Sequence, residues 1–295
     1  MRIHHLNCGT FCPMSQLFIN GRGSPLRRGR LVCHCLLIET GDGLVLVDTG
    51  LGTQDIAQPM ERLPGPIWQF IMHAQLRIGE TALHQVLRLG YDHEDVRHIV
   101  LTHLDFDHAG GLADFPHAKV HVFQMEHTAA THRLRVMDRQ RYAPPQFAHR
   151  PDWALHQVRG ETWRGFDSVA ALPGDGGEMP EILLIPLLGH SRGHCGVAVQ
   201  SDNGWILHSG DALFYHGEFN SPHRHCPIGL RIYENVFQFD RRQRLYNQHR
   251  LREFANSPAS GDVQLICSHD PDIYDALTTQ AAEPAMPAAR FAYAH

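Results

Sequence analysis

The segment Leu101–Gly111 (LTHLDFDHAGG) constrains this chain most, because a predicted strand runs directly into a dense set of potential metal ligands. The apolar run within Arg97–Thr102 predicts the strand. In an extended backbone alternate side chains share a face, so residues 103, 105 and 107 point the same way, and Ala109–Gly111 supplies small residues for a turn. Within six positions the segment offers four candidate ligands: His103, Asp105, Asp107 and His108.

The abundance of histidine by itself says little about metal binding. The chain has 295 residues, of which 24 are histidine, nearly as many as its 26 lysines and arginines. Such a chain produces histidine pairs by chance, but an ordered His-x-Asp-x-Asp-His after an apolar strand is a much rarer outcome. The order and spacing of these residues therefore carry the interpretation.

Other predicted strands end on the same residue types. Loops with His or Asp follow three apolar runs: Gly189–His194 after Ile182–Leu188, Ser209–Asp211 after Trp205–His208, and Ser268–Asp270 after Val263–Cys267. Asp48 follows the run Leu44–Val47. Because sheet-built enzymes collect ligands in the loops that leave one edge of their strands, these loops are expected to meet.

The rest of the chain gives an α/β pattern without internal repeats or a long linker. The expected strands, besides those above, are Leu31–Glu39 in a hairpin with Leu44–Val47, Lys119–Phe123, and Gly196–Gln200 in a hairpin with Trp205–His208. The expected helices are Thr81–Leu89, Gln124–Leu134 and Asp240–Ala255. Residues 136–180 indicate loop with short strands. Pro186 predicts an edge strand or a strand end. We expect one domain over residues 1–280 and a loosely ordered Ala/Pro-rich tail over 281–295.

Composition excludes several classes of function. The 26 basic and 31 acidic residues give a net charge of −5, and no basic run is present, which argues against nucleic acid or an anionic membrane as a partner. Neither a signal peptide nor an apolar stretch of membrane-spanning length is evident. Seven scattered cysteines suit reduced thiols, so we expect a cytoplasmic protein, with Cys33 and Cys35 in a buried strand.

The ordered motifs resemble the five motifs of the metallo-β-lactamase superfamily, and they span residues 48 to 269. The resemblance implies an α/β (α+β) fold, a four-layer αββα sandwich with two divalent metal ions at its rim. It implies that His103, Asp105 and His190 bind the first metal. It implies that Asp107, His108 and His269 bind the second. Asp211 would bridge the two metals, and Asp48 would orient the site from behind without being a ligand.

One position departs from the family. The first motif usually carries His where this chain has Asp105. Two divalent cations, three aspartates and a bridging hydroxide sum to zero charge, whereas a histidine would leave +1. Lower positive charge weakens the Lewis acid, and an oxygen donor favours iron or manganese over zinc, so zinc, iron and manganese all remain candidates. Alternatively, Asp105 is too short to reach and the first site is weak. Where Asp105 is a metal ligand, replacing it by histidine is expected to improve zinc binding.

The resemblance implies a hydrolase that uses a hydroxide held between two metals to cleave a small ester-like substrate, most simply a lactone. Asp107 would move a proton to the leaving group. In lactonases a tyrosine near the bridging aspartate contacts the substrate carbonyl, and here Tyr215 lies four residues after Asp211 instead of three. A glyoxalase II-like thioester hydrolase and a non-hydrolytic iron redox protein or dioxygenase are the alternatives.

No catalytic or metal-binding role is expected for several other residues. His194 and His208 are expected to be packed inside rather than to bind metal. The apolar segment Pro64–Met72 is expected to form either a lid over the site or an oligomer contact, and a homodimer is possible. Residues 223–227 are expected to be a solvated loop.

Overall fold

Two β-sheets lie face to face in the structure, a computed structural model that describes residues 1–172 and 181–282. The first sheet has seven strands: β1 (Ile3–Phe11), β2 (Leu31–Thr40), β3 (Gly43–Val47), β4 (Ala74–Gln75), β5 (Val96–Val100), β6 (Lys119–Phe123) and β7 (Asp152–His156). Their spatial order is β4-β1-β2-β3-β5-β6-β7. Strands β3, β5, β6 and β7 are parallel neighbours, while β1, β2 and β3 pair antiparallel.

The second sheet has six strands in the described residues. They are β8 (Glu161–Trp163), β9 (Phe166–Ala171), β10 (Ile182–Pro186), β11 (Cys195–Ser201), β12 (Gly204–His208) and β13 (Val263–Ile266). Their order is β13-β12-β11-β10-β9-β8, and only β12 and β13 pair in parallel.

Helices connect the strands of both sheets, and some of them pack on the outer faces. In chain order they are α1 (Gln16–Asn20), α2 (Thr53–Ala57), α3 (Pro59–Arg62), α4 (Pro66–Met72), α5 (Ala82–Arg88), α6 (Phe106–Ala109), α7 (Gln124–His132), α8 (Val136–Arg141), α9 (Ile228–Val236), α10 (Arg241–Ala255) and α11 (Pro271–Ala282). None of the helices in the described ranges is both long and apolar enough to span a bilayer.

Alternation along the strands creates separate cores on either side of each sheet. On β2, Leu36 and Ile38 face the second sheet, whereas Cys35 and Leu37 face the opposite way and pack near Val86 of α5. On the far side of the second sheet, Leu251 and other residues of α10 complete a third cluster. The order of layers is therefore helix, sheet, sheet, helix, which confirms the expected αββα sandwich.

The topology brings the predicted ligand loops to one edge. Strands β3 and β5 are parallel, so the loops after Val47 and Val100 leave the first sheet on the same side. Strands β10, β12 and β13 likewise run in one direction, because β10 and β12 are each antiparallel to β11. The amide of Cys195 donates to the Thr102 carbonyl (2.9 Å) and ties the two sheets together at this edge.

The secondary structure differs from the sequence prediction in residues 136–180. The segment contains helix α8 and strand β7 in addition to short strands. Asp138 accepts a hydrogen bond from the Arg135 amide (2.9 Å) at the start of α8, and a helix of six residues is too short to show apolar periodicity. Residues 173–180 lie outside the described residues.

Smaller differences concern strand and tail boundaries. Strand β10 lies inside the sheet and Pro186 is its last residue, so the strand-end prediction is confirmed and the edge prediction is wrong. Helix α11 continues through Ala282, two residues into the predicted tail, and 283–295 fall outside the described residues. Within the predicted lid or contact segment, α4 exposes Phe70 and Ile71 and buries Met72.

Candidate metal centre

Seven ionisable side chains meet where the two sheets adjoin at this edge. All are buried, with no side chain more than 9% exposed: His103, Asp105, Asp107, His108, His190, Asp211 and His269. They come from the loops after β5, β10, β12 and β13, as the sequence predicted. Because burying so many ionisable groups together is unfavourable unless they are paired or bind a cation, the cluster requires a specific explanation.

The backbone after β5 divides the first motif into two halves. Asp105 is extended (φ −65°, ψ 150°) and is followed at once by α6, which contains Asp107 and His108. The strand-like spacing therefore ends at Asp105, and the helix turns the next two candidate ligands toward a different partner. Asp105 consequently lies beside His103 and His190, and Asp107 lies beside His269, while His108 lies between them, within 4.8 Å of both His103 and Asp211.

The first group surrounds one oxygen of Asp105. Nε2 of His190 lies 3.1 Å and Nε2 of His103 lies 3.4 Å from Oδ2 of Asp105. The same two nitrogens lie 3.6 and 3.8 Å from Oδ2 of Asp211. Four donor atoms thus converge from three loops.

The second group surrounds the other oxygen of Asp211. Oδ1 of Asp211 lies 3.3 Å from Nε2 of His108 and 3.1 Å from Nε2 of His269. Nε2 of His269 is also 3.7 Å from Oδ2 of Asp107. Oδ2 of Asp211 also lies 3.3 Å from Nε2 of His269. The Asp211 carboxylate therefore lies between the two groups and contacts both, which is the position expected of a bridging ligand.

The residues present fit a pair of divalent cations. Bonds of about 2.1 Å place tetrahedral ligand atoms about 3.4 Å apart, close to the spacings above. Nε2 of His103, Nε2 of His108 and Oδ1 of Asp211 are fully buried and have no hydrogen-bond partner among the described residues. Unpartnered buried lone pairs that face one another are costly in a protein interior, and a cation would satisfy them.

The pKa shifts show how strongly these groups interact. Burial alone would raise the pKa of Asp211, but the charges of His269 and His108 outweigh it and hold the pKa well below its usual value. Burial alone would lower the pKa of His108, yet Asp211 and Asp48 raise it well above the usual value. Burial raises the pKa of Asp107, against the opposing effect of the two histidines. Asp107 accepts no hydrogen bond from the described residues.

Asp48 lies behind the cluster, where the sequence placed it. Oδ2 of Asp48 lies 2.8 Å from Nδ1 of His108 and accepts a hydrogen bond from the Thr102 hydroxyl (2.8 Å), while Oδ1 accepts from the Thr102 amide (2.8 Å). Likewise, Nδ1 of His269 donates to the Val32 carbonyl (2.7 Å). These contacts leave Nε2 of each imidazole free to face the centre.

Glu126 is a buried residue that sequence reasoning did not identify. Its Oε1 accepts from the Leu104 amide and the Tyr142 hydroxyl (both 3.1 Å). Its Oε2 accepts from the Ser191 hydroxyl and the Gly193 amide (both 2.7 Å). One carboxylate on α7 therefore joins the loop of His103 to the loop of His190. No local pattern indicates such a role, because the partners come from distant segments.

Arg141 is the second residue that the sequence did not reveal. Nη1 of Arg141 donates to both oxygens of Asp105, at 3.0 and 2.9 Å, and Nη2 donates to the Phe237 carbonyl. Burial alone would raise the pKa of Asp105, but the guanidinium of Arg141 helps to lower it well below its usual value. Burial, followed by the charge of Arg141, lowers the pKa of His190 to about 4. An arginine thus lies directly behind one predicted ligand.

Tyr233, and not the Tyr215 proposed from the sequence, is the one of these two tyrosines whose phenol interacts with the carboxylates of the centre. Burial raises the pKa of Tyr233 well above its usual value, and the carboxylates that add to the shift are those of Asp107, Asp211 and Asp105. Burial raises the pKa of Tyr215, and Asp270 and Asp272 add to the shift. Neither aspartate belongs to the seven residues of the cluster. In the sequence, helix α9 could have been predicted from the helical spacing of residues 230, 233, 234 and 237.

Phe214 connects Tyr233 to the centre. It occupies the position three residues after Asp211, and its ring lies 5.4 Å from that of Tyr233 between centroids. The same ring stacks on His269 at 5.2 Å and lies 5.9 Å from His190. Helix α9 therefore brings a phenol to the wall of the centre, and a phenylalanine occupies the place next to the bridging aspartate.

The two histidines expected to be structural have complete hydrogen bonding. Nδ1 of His194 donates to the Leu187 carbonyl (3.0 Å), and Nε2 accepts from the Asp211 amide (2.8 Å). Nε2 of His208 donates to the His34 carbonyl (2.7 Å), while Nδ1 accepts from the Gly210 amide (3.1 Å). Neither has a free nitrogen for a metal, as the sequence interpretation predicted.

Known proteins are similar to this chain in sequence and in fold. Residues 28–247 match the family model described as the metallo-beta-lactamase superfamily. A probable metallo-hydrolase of Mycobacterium tuberculosis is 41% identical over 274 residues, which cover 93% of this chain and 82% of that protein. An N-acyl homoserine lactonase of Bacillus thuringiensis is 24% identical over 204 residues, 69% of this chain and 72% of that protein.

A solved structure is similar to the fold. It is that of an N-acyl homoserine lactone hydrolase with the product N-hexanoyl-L-homoserine bound at the catalytic metal centre. The TM-score is 0.64 at 22% identity, and the match covers 93% of this chain and 95% of the other. At this identity the likeness shows the shared fold.

Proposed function

The chain belongs to the metallo-β-lactamase superfamily and is a metallo-hydrolase, and from that premise we propose that it opens a small ester-like substrate, with a lactone as the favoured class. The observation that carries the proposal is the position of the Asp211 carboxylate between two groups of donors, in contact with both. That arrangement suits two cations held side by side. The lactone assignment is supported by similarity to proteins named N-acyl homoserine lactonase.

We assign the metal ligands as the resemblance implied. His103, Asp105 and His190 would hold the first cation, Asp107, His108 and His269 the second, and Asp211 both. When bound, a pair of divalent ions (zinc, iron or manganese) supplies an activated water and polarises the substrate carbonyl. The chemistry of the donor set, four imidazoles with three carboxylates, is compatible with all three metals.

Side chains of the protein would transfer the proton and contact the substrate carbonyl. Asp107 is the group we assign to receive a proton and pass it to the leaving alkoxide, because its carboxylate accepts no hydrogen bond from the described residues and borders the centre. Tyr233 is the hydroxyl we assign to the substrate oxygen in place of Tyr215. Its ring packs on Phe214, and burial together with the carboxylates of the centre raises the pKa of its phenol. A phenol donor stabilises negative charge that develops on an oxygen.

A substrate panel tests this proposal. Protein loaded separately with zinc, manganese and ferrous iron would be given N-acyl homoserine lactones, S-acyl glutathiones and a phosphodiester, with Asp211→Asn as the inactive reference. We expect metal-dependent lactone opening that exceeds thioester cleavage in kcat/KM and that Asp211→Asn abolishes. Faster release of thiol from the glutathione thioesters would favour the glyoxalase II-like alternative. Oxygen consumption without hydrolysis by the iron-loaded protein would favour the redox alternative.

A further inference from the structure

Asp105 carries a negative charge at a position where the family usually has a neutral histidine. Arg141 brings a positive charge directly to it. Nη1 of Arg141 lies 3.0 Å from Oδ1 and 2.9 Å from Oδ2 of Asp105, and both side chains are less than 10% exposed. This pair links residues 36 positions apart in the chain.

Arg141 is fixed in place by groups other than Asp105. It is the last residue of α8, and Nη2 donates to the Phe237 carbonyl, which follows α9. The nearby carboxylate of Glu126 is already engaged by four donors. The guanidinium is therefore anchored through Nη2 while Nη1 donates to both oxygens of Asp105, and the geometry resembles the charge-assisted contacts that orient metal ligands.

The contact leaves Asp105 able to bind a cation. Oδ2 of Asp105 lies 3.1 Å from Nε2 of His190 and 3.4 Å from Nε2 of His103, so the oxygen faces both imidazoles while Arg141 approaches from another side. An ionised carboxylate has about four lone-pair positions and accepts several partners at once. Arg141 and a metal can therefore share the carboxylate.

We propose that Arg141 is a positioning residue that makes an aspartate functionally equivalent to histidine at position 105. The inference rests on the metal centre of the proposed function. The Asp105–Arg141 pair has no net charge, as a neutral imidazole has none. With two divalent cations, three aspartates and a hydroxide, the count becomes +1 once Arg141 is included, instead of the zero that the ligands alone give. The pair thereby preserves the Lewis acidity that an unpaired aspartate would reduce.

The pairing reverses the expectation for Asp105→His drawn from the sequence. A histidine introduced beside Arg141 would leave a buried guanidinium without its carboxylate and next to a cation. Both effects weaken binding of the first metal, so the single substitution is expected to bind zinc less well. Removing the arginine at the same time restores the original charge.

The test compares four proteins: the wild type, Asp105→His, Arg141→Met and the double variant. Zinc and manganese stoichiometry and affinity are measured by competition with a chelator, without substrate. We expect Asp105→His to lose affinity at the weaker site by about 10- to 100-fold and the double variant to recover most of it. Wild-type affinity in Asp105→His, or no recovery in a folded double variant, would overturn the proposal.

Two further measurements distinguish loss of the Asp105–Arg141 contact from a general effect on folding. Arg192→Met removes another arginine that lies near an aspartate (Asp138, 3.6 Å), and it should leave metal binding unchanged. In cobalt-loaded Arg141→Met, the pH midpoint of the visible spectrum should rise by about one unit, because a positive charge has been lost. A midpoint that stays constant or falls would contradict the inference. Because none of these readouts involves a substrate, failure of the lactone proposal would not affect them.

Discussion

Oδ2 of Asp48 lies 2.8 Å from Nδ1 of His108, and this contact directs Nε2 of the same ring toward Asp211. Asp48 is itself held by the amide and hydroxyl of Thr102. Burial would raise the pKa of Asp48, but His108 outweighs it and the pKa is lowered, so the residue stays ionised. An ionised acceptor at Nδ1 fixes both the ring orientation and its tautomer.

Replacing Asp48 by asparagine should weaken metal binding without removing a ligand. The amide retains the size of the side chain but loses the charge and one acceptor oxygen. We expect a loss of about 10- to 100-fold in affinity at the second metal, measured by chelator competition. Asp114→Asn provides the control, since Asp114 is also buried but accepts from Thr53, away from the centre. Equal affinities in Asp48→Asn and the wild type would contradict the orienting role.

Replacing Glu126 by glutamine should destabilise the folded protein. An amide group cannot accept the hydrogen bonds that one of the carboxylate oxygens receives, so two buried donors lose their partner. At about 1–3 kcal/mol for each, the expected loss is about 2–6 kcal/mol in the free energy of unfolding, measured with urea. Glu94→Gln, at an exposed position, is the matched control. A loss no larger than that of the control would show that Glu126 does not join the two loops.

Removing the Tyr233 hydroxyl should slow the reaction and leave the metals in place. For Tyr233→Phe we expect kcat/KM for a lactone to fall about 100-fold, the scale for loss of a donor to a developing oxyanion, with unchanged metal content. Tyr215→Phe is the comparison and should keep near wild-type kinetics. The opposite ranking of the two variants would restore Tyr215 to the role that the sequence suggested.

The two tyrosines illustrate which features a sequence can reveal. The proposed ligands His103, Asp107 and Asp211 could be found in the sequence because each follows an apolar strand, and topology then fixes where strands end. Arg141 and Tyr233 reach the centre from helices α8 and α9. Helix α8 is too short to show periodicity, and the spacing that indicates α9 does not reveal what the helix packs against. Their importance arises from tertiary contacts between distant segments, and no local spacing encodes such contacts.

The remaining histidines include a chain of three across adjacent strands. Nδ1 of His98 lies 3.0 Å from Nε2 of His121, and Nδ1 of His121 lies 3.0 Å from Nε2 of His156. The sequence alone does not indicate a partner for His121, because the pairing requires the register of β5, β6 and β7. Burial, followed by the two neighbouring rings, lowers the pKa of His121 to about 3.

This chain of imidazoles should make the fold sensitive to mild acid. The unfolded state takes up a proton near pH 6.5, whereas folded His121 resists it down to about pH 3. Stability is therefore lost as the pH falls below 6.5, by up to about 1.4 kcal/mol per pH unit for one proton. Urea unfolding at pH 7.5 and 5.5 should show a smaller pH dependence in His121→Gln than in the wild type. The exposed His117→Gln should behave like the wild type, and an unchanged pH dependence in His121→Gln would contradict the account.

The central claim is that Asp211 lies between two divalent cations, and anomalous X-ray scattering from crystals of the manganese-loaded protein tests it most directly. The account predicts two anomalous peaks, one on each side of the Asp211 carboxylate. One peak should lie among His103, Asp105 and His190, and the other among Asp107, His108 and His269. A single peak, or peaks away from Asp211 in a metal-loaded crystal, would contradict it.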